Sequence, residues 1–195
     1  MNKTLAYYNH NAEHYIHDTR NVEFSKMQER FLDKLHSGAS ILDFGCGSGR
    51  DAKYFIEHGF IVDAMDGSTE LCVKASELVG IEVKCMQFLE LEENEKYDGI
   101  WACASILHLP KTELKIVIEK MSRALKLKGV IYASFKYGDF EGERNGRYFT
   151  DFTEEVFSGF IKEFLGLTIE ELWSTEDVRI GRGEEKWLNI ILRKQ

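Results

Sequence analysis

The sequence predicts an α/β fold: a seven-stranded, mostly parallel sheet with helices on both faces, closed by an antiparallel C-terminal hairpin. Three observations predict it. Five short apolar runs alternate with stretches of helical periodicity, which is the pattern of βαβ units. A glycine-rich turn, Gly45-Cys-Gly-Ser-Gly49, joins the first apolar run to the helix after it. Open parallel sheets bind ligands at such carboxyl ends of strands. Two longer strand candidates, about 167–175 and 186–193, face each other across a charged connection at the end of the chain.

Each element has a local reason. Val22, Phe24, Met27, Phe31, Leu32 and Leu35 recur at helical spacing, so residues 22–36 read as an amphipathic helix that Gly38 ends. Ser40 to Phe44 is a short apolar strand running into the glycine turn, and a helix follows over about 50–58 with Gly59 at its C′ position. Phe60 to Met65 is the second strand. Ser68 suits the N-cap of a helix carrying Leu71, Ala75, Leu78 and Val79, which Gly80 ends. Ile81 to Met86 and Tyr97 to Cys103 are the third and fourth strands; the fourth has little polar alternation, as expected of a strand covered on both faces. Residues 111–126 read as a helix, and Gly129 precedes the fifth strand, Val130 to Phe135. The stretch 137–151 is polar and glycine-containing, long for a simple connection, and so expected to be functional or mobile. Thr153 suits the N-cap of a last helix bearing Phe157, Phe160, Ile161 and Phe164. With no repeat and no linker, residues 1–195 are expected to form one domain, with 1–21 as an N-terminal lid and 137–151 as a substrate-side insertion.

Composition narrows the function. The 195 residues are 44% hydrophobic and 30% charged, with one proline, which excludes collagen-like and extensively disordered readings. Their 25 Lys and Arg against 33 Asp and Glu leave a net charge of −8. That balance opposes broad contact with a nucleic-acid backbone, though not a small basic pocket. The longest apolar run, Gly99 to Pro110, is too short for a membrane span and is broken by His108, and the N-terminus has no apolar secretory core. Cys46, Cys72, Cys85 and Cys103 form no C-x-x-C pair and sit among apolar or glycine neighbours, so they are expected to be reduced in a cytoplasmic protein without structural zinc. His10, His14 and His17 would be helix neighbours, but only Glu13 or Asp18 stands near enough in sequence to complete a ligand shell, so no metal is expected.

The glycine turn departs from the dinucleotide fingerprint G-x-G-x-x-G. Gly45 and Gly47 fit, Arg50 occupies the sixth position, and the third glycine comes one residue early at Gly49. The stretch Ile41-Leu-Asp-Phe-Gly-Cys-Gly-Ser-Gly-Arg50 resembles motif I of class I S-adenosylmethionine-dependent methyltransferases, which commonly read (I/V)LD-x-GCG-x-G. Three further segments resemble the same family in order: Val62-Asp-Ala-Met-Asp66-Gly-Ser, the segment Tyr97 to His108, and Leu125-Lys-Leu-Lys-Gly-Val-Ile-Tyr132, which carries Lys128 where Gly or Pro is usual. Together they cover roughly residues 5–136. The closest branches are the tellurite-resistance and ubiquinone/menaquinone types, which act on small molecules.

The resemblance implies a Rossmann-like methyltransferase fold, S-adenosylmethionine (SAM) as cofactor, and methyl transfer to a small-molecule acceptor by in-line displacement. It implies that Gly45, Cys46, Gly47 and Gly49 pass beside the aminoacyl and ribose parts, and that Asp66, with Gly67, accepts from the ribose hydroxyls. Asp43 orders the loop or reaches the methionine ammonium through water. Gln87 and Phe88 fall where the family reads adenine, with Gln87 replacing the Asp of many members. Cys103 and Ala104 put main-chain groups near the methionine part, and Tyr15 and Arg20 stand over the sulfonium and near the methionine carboxylate. The acceptor falls to Tyr7, Arg147, Tyr148, Arg179 and Trp187, with Arg144 and Arg182 nearby; arginines converging there would bind a carboxylate or phosphate, and rings would stack a planar acceptor. His108 and Tyr137 are the candidates for a general base, and His108 alternatively caps the next helix.

Other functions stay in view. A nucleic-acid methyltransferase is opposed by the charge and by the absence of an N-P-P-Y or D-P-P-Y tetrapeptide. Protein methylation, a non-catalytic SAM-binding module and an NAD oxidoreductase are the remaining alternatives; Arg50 opposes the last. The edge of the terminal hairpin leaves both monomer and homodimer open.

Overall fold

The computed structural model describes residues 3–179 and 181–195. Strands β1 (Ser40–Phe44), β2 (Ile61–Asp66), β3 (Val83–Cys85), β4 (Tyr97–Ala102) and β5 (Leu125–Lys136) pair in parallel. A two-stranded ribbon, β6 (Glu141–Arg144) with β7 (Arg147–Thr150), stands apart from the sheet. Strands β8 (Leu167–Glu176) and β9 (Lys186–Lys194) close the sheet antiparallel, giving seven strands in the order β3-β2-β1-β4-β5-β9-β8.

Alternation along the buried strands divides the core into two layers. Ile41, Ala64, Trp101 and Tyr132 face Phe31, Phe55 and Ala75 of helices α3 (Ser25–Leu32), α4 (Arg50–Glu57) and α5 (Thr69–Val79). Trp101 and Tyr132 stack there with ring centroids 4.0 Å apart. Leu42, Phe44, Ile100 and Ile131 face the opposite layer, where Leu114, Val117 and Met121 of α6 (Lys111–Ala124) and Phe157 and Phe160 of α7 (Glu154–Ile161) are buried. Both faces are covered, which is why these strands lack polar alternation.

The helix ends follow their capping residues. Ser68 Oγ accepts from Leu71 N at 3.3 Å and Thr153 Oγ1 from Val156 N at 3.3 Å. Two helices lie N-terminal to this scaffold, α1 (Lys3–His10) and α2 (Ala12–Thr19). Helix α1 bridges two elements that α/β topology does not otherwise join. Its Asn9 Oδ1 accepts from Ser68 Oγ at 2.7 Å, and its Thr4 Oγ1 accepts from Tyr148 N at 3.0 Å.

Three local expectations change. The helix expected over 22–36 is confined to Ser25–Leu32, although Leu35 still packs against the sheet beside Gly99. The fifth strand begins at Leu125 rather than Val130, because Lys128 adopts a left-handed φ of +65° that lets the chain enter the sheet early. The long polar connection is the β6–β7 hairpin. Asn145 and Gly146 have φ of +52° and +77°, the two positive values a tight two-residue hairpin turn requires. Among the described residues, no helix is long and apolar enough to cross a membrane.

Candidate active site

The glycine turn owes its shape to two close approaches. A Cβ on Gly45 would lie 2.5 Å from Ser105 Cβ, and one on Gly47 would lie 2.8 Å from the Tyr15 hydroxyl. The turn is tied to the end of β2 by Asp66, whose carboxylate accepts from Gly47 N at 2.9 Å and from Ser68 N at 2.8 Å. Burial raises the Asp66 pKa, while backbone donors from Ser68, Gly47 and Gly67 draw it back down. The other side of the turn rests on the loop after β4. There Ala104 holds a left-handed φ of +49°, and its N–H donates to Ser134 Oγ at 2.8 Å. Strain of this kind in a non-glycine residue is concentrated at binding sites.

Two cavities open beside this turn at the carboxyl ends of the strands. The smaller, about 90 Å³, is bounded by Gly47, Asp66, Gly67, Gln87 and Phe88, with Leu5 of α1 above. The larger, about 570 Å³, runs from Cys46, Ser48, Arg50 and Cys103 outward to Tyr7, Arg147, Arg179 and Trp187. Tyr8, Tyr15, Gly45, Ala104 and His108 border both cavities and form a neck between them.

The neck carries an ordered hydrogen-bond chain. His108 Nδ1 lies 2.6 Å from the Tyr148 carbonyl, which can only accept, so Nδ1 carries the proton. Nε2 is therefore a free lone pair, and it accepts from the Tyr8 hydroxyl at 2.8 Å. Arg147 Nη1 in turn donates to Tyr8 at 3.4 Å. Burial pushes the His108 pKa down to about 4, and the Arg147 and Arg144 charges act in the same direction. Burial also raises the Tyr8 pKa, an effect Arg147 opposes. At neutral pH the chain is an uncharged imidazole and an uncharged phenol. Burial likewise raises Cys103 to about 12, so it is a thiol and not a nucleophile.

The arginines of the larger cavity differ in their partners. Arg50 makes two hydrogen bonds to Asp51, both 2.8 Å, and Arg144 makes two to Asp151, both 2.8 Å. Arg179 donates twice to Asp177, at 2.9 and 2.5 Å. Asp177 also accepts from Trp187 Nε1 at 3.0 Å, and these donors hold its carboxyl well below the usual carboxylate range. Among the described residues, Arg147 has no such carboxylate partner. Its guanidinium lies over the Tyr7 ring at 4.5 Å and the Phe149 ring at 5.1 Å.

Most of the residues expected from sequence converge here, and four do not. Arg20 borders neither cavity; Arg50, the first residue of α4, occupies the cavity wall instead. Asp43 is buried behind the turn, where it accepts from Ala52 N at 3.0 Å and caps α4, so it orders the loop without reaching the cleft. Gly49 serves helix packing rather than a ligand: its Cβ would stand 3.0 Å from Val79 Cγ1 and 3.2 Å from Ala75 Cβ. The Tyr148 ring lies off both cavities, because alternation along β7 turns Arg147 and Phe149 inward and Tyr148 away; Tyr148 contributes its carbonyl to His108 instead. Tyr137 reaches the larger cavity at its rim and is 41% exposed. Sequence reasoning passed over Ser105, and it placed Tyr8 and Phe149 only among the rings of the N-terminal and 137–151 segments, without an orientation. The Asn145-Gly146 pair was the available signal for Phe149, since it fixes the hairpin register and with it the inward face. Among the described residues, no three His, Cys, Asp or Glu side chains gather around a metal-sized position.

A family model described as "Methyltransferase domain" matches residues 41–129, which span the glycine turn, β2 and the neck loop. No curated protein matches the chain by sequence. Among solved structures, the chain resembles the 1,6-didemethyltoxoflavin N1-methyltransferase of Burkholderia thailandensis, solved with 1,6-didemethyltoxoflavin and S-adenosylhomocysteine. The TM-score is 0.79 at 19% identity, over 97% of this chain and 85% of that one. It also resembles the N-methyltransferase NodS of Bradyrhizobium japonicum WM9, in complex with S-adenosylhomocysteine, with a TM-score of 0.73 at 16% identity over 95% and 97% of the two chains. The magnesium protoporphyrin IX methyltransferase of Synechocystis PCC 6803 gives 0.72 at 17% identity, over 97% of each chain. At these identities the likenesses establish the fold, which is the Rossmann-like methyltransferase fold expected from the sequence. The family match falls on the glycine turn and the strands beside it, residues 41–129 of the 195.

Proposed function

We propose that this chain is a SAM-dependent methyltransferase that holds the adenosine of SAM in the smaller cavity and a small, flat acceptor in the larger one, and methylates it at the neck. The observation that carries this reading is that the two cavities share Tyr8, Tyr15, Gly45, Ala104 and His108. A donor and an acceptor entering from opposite sides would meet there. The residues present suit the cofactor: Gly47 and Gly67 border the smaller cavity with backbone alone, and the Asp66 carboxylate stands beside them as a hydrogen-bond acceptor. SAM supplies a methyl group activated by a cationic sulfur; the chain's task is binding, orientation and exclusion of water.

Asp66 is the ribose acceptor in this reading, with Gln87 and Phe88 beside adenine. Arg50 faces the methionine carboxylate in place of Arg20, and Tyr15 and the Cys103-Ala104 backbone hold the neck. An acceptor that loses a proton on methylation passes it through Tyr8 to His108 Nε2, whose lone pair already receives the Tyr8 hydroxyl at 2.8 Å. Tyr137, at the exposed rim, is an acceptor contact and not the base. The aromatic walls and the arginines favour a flat, anionic acceptor over a polymer, and the net charge of −8 favours it over nucleic acid. Helix α1 serves as a lid: a Cβ on Gly67 would lie 2.6 Å from Leu5 Cδ2, so Leu5 closes the smaller cavity from above. The four free cysteines suit a reducing, cytoplasmic setting.

The test is calorimetric titration of S-adenosylhomocysteine into wild-type protein and Asp66→Ala. Micromolar binding that weakens at least about tenfold in the variant supports the site, since a hydrogen bond to a charged group contributes about 1.5–3 kcal/mol. Absence of binding to folded wild-type protein overturns it.

A further inference from the structure

We propose that Arg147 is the receptor for a single carboxylate on the acceptor, which makes the substrate class small aromatic carboxylates. The inference rests on the acceptor reading of the larger cavity and deepens it. Three observations converge on Arg147. Its Nε is buried and has no hydrogen-bond partner among the described residues. Its one hydrogen bond on the cleft side is a long one, 3.4 Å to the Tyr8 hydroxyl. Rings flank its guanidinium, with centroids 4.5 Å away for Tyr7 and 5.1 Å for Phe149, and since Nε is shut off from solvent the terminal Nη1 and Nη2 are the end a ligand can meet. A planar carboxylate pairs with such an end through two parallel hydrogen bonds.

Charge accounting selects a monoanion. Arg50, Arg144 and Arg179 are each neutralised by a bidentate aspartate, and Lys136 pairs with Asp177 and Glu185. Arg182 and Lys186 also line the cavity but are exposed to solvent, with Glu176 and Glu184 in the same outer wall, so the half-buried positive charge without a carboxylate partner among the described residues is Arg147. A carboxylate matches it, whereas a phosphate dianion would bring a second negative charge beside Asp151 and Asp177. The same rings that flank Arg147 supply the apolar walls for a flat body attached to the carboxylate.

The experiment uses three flat probes that differ in charge: benzoate, benzamide and phenyl phosphate. Each is titrated into wild-type protein and Arg147→Gln in the presence of S-adenosylhomocysteine, with binding followed by ligand-observed NMR. The expected result is benzoate binding at least about tenfold tighter than benzamide and no weaker than phenyl phosphate, with Arg147→Gln reducing benzoate to the level of benzamide. Equal affinity for benzoate and benzamide, tightest binding of phenyl phosphate, or no binding of benzoate up to about 20 mM overturns the assignment. The comparison of probes on wild-type protein stands even if the variant fails to fold. Calorimetry with S-adenosylhomocysteine on the same samples separates the two readings. Binding of that nucleoside without carboxylate preference defeats the Arg147 assignment alone, and no binding to the wild type defeats the cofactor reading and this one with it.

Discussion

Acidification should destabilise the fold specifically through His108. The imidazole is 9% exposed; its Nδ1–H is spent on the Tyr148 carbonyl and its Nε2 lone pair on the Tyr8 hydroxyl. A second proton on Nε2 would reverse the Tyr8 hydrogen bond and bury an imidazolium beside Arg147 and Arg144. The pKa is accordingly pushed from its ordinary 6.5 down to about 4. The sign follows from the folded value lying below the unfolded one. The unfolded chain takes up the proton as pH falls through 6.5, whereas the folded chain resists until about 4. Stability from the neutral imidazole is thus complete above 6.5 and is lost progressively toward pH 4. The gap corresponds to about 3 kcal/mol, at about 1.4 kcal/mol per tenfold in proton affinity. The assay is urea unfolding followed by tryptophan fluorescence at several pH values from 7.5 to 4, in wild type and His108→Gln. Other titrating groups are common to both proteins, so the difference between their unfolding free energies isolates the histidine. That difference should shrink by about 3 kcal/mol across the range. A difference that stays constant within a few tenths would show that His108 takes up its proton in the folded protein as readily as in the unfolded chain, and the buried relay at the neck would be wrong.

Two backbone predictions test the local geometry. Gly49→Ala should destabilise by about 2–4 kcal/mol, from left-handed strain plus overpacking against Val79 and Ala75, whereas Gly38→Ala, at φ +74° with open space around it, should cost only about 1–2 kcal/mol; urea unfolding of the pair decides. Lys128→Gly should stabilise by about 0.5–1 kcal/mol, because Lys128 carries a φ of +65° that glycine adopts freely; a lower midpoint in the same assay would contradict the strain argument.

The residues that gather around the smaller cavity, where we place the cofactor, were legible in the sequence because their determinants are local. A strand, a turn and a helix within a dozen residues fix Gly45, Cys46 and Gly47, and Asp66 lies at the end of the adjacent parallel strand, where the fold must place it. The same locality explains why Lys128 stood out from the family pattern: its position demands a left-handed φ, which glycine usually supplies. The acceptor side was less legible because it is built by alternation and by pairing. Arg147, Tyr148 and Phe149 look equivalent in sequence, yet the β6–β7 register sends the first and third into the cleft and the second out of it. Arg20 and Arg50 were separable only once helix orientation was known, since the first residue of α4 begins at the mouth of the glycine turn while Arg20 lies past the end of α2. Arg179 was expected among the acceptor contacts, and Asp177, two residues before it, neutralises it.

That cancellation bears on how an acidic protein can select an anion. A net charge of −8 repels polyanions at long range, and a cleft rich in free arginines would work against that selection by attracting any phosphate. Here the acids that make the chain acidic include Asp51, Asp151 and Asp177, which stand inside the cleft and neutralise its arginines one by one. The paired arginines then act as rigid walls, each held in a fixed plane by two hydrogen bonds, and contribute shape rather than charge. Arg147 differs because rings, not a carboxylate, flank it; aromatic rings attract a guanidinium without neutralising it. Arg147 keeps its charge beside the compensated Arg50, Arg144 and Arg179, close to the Tyr8–His108 pair. An acceptor anchored there by a carboxylate would occupy the cavity in a single orientation, with its flat body directed along the rings toward the neck, so charge compensation and orientation arise from the same residues.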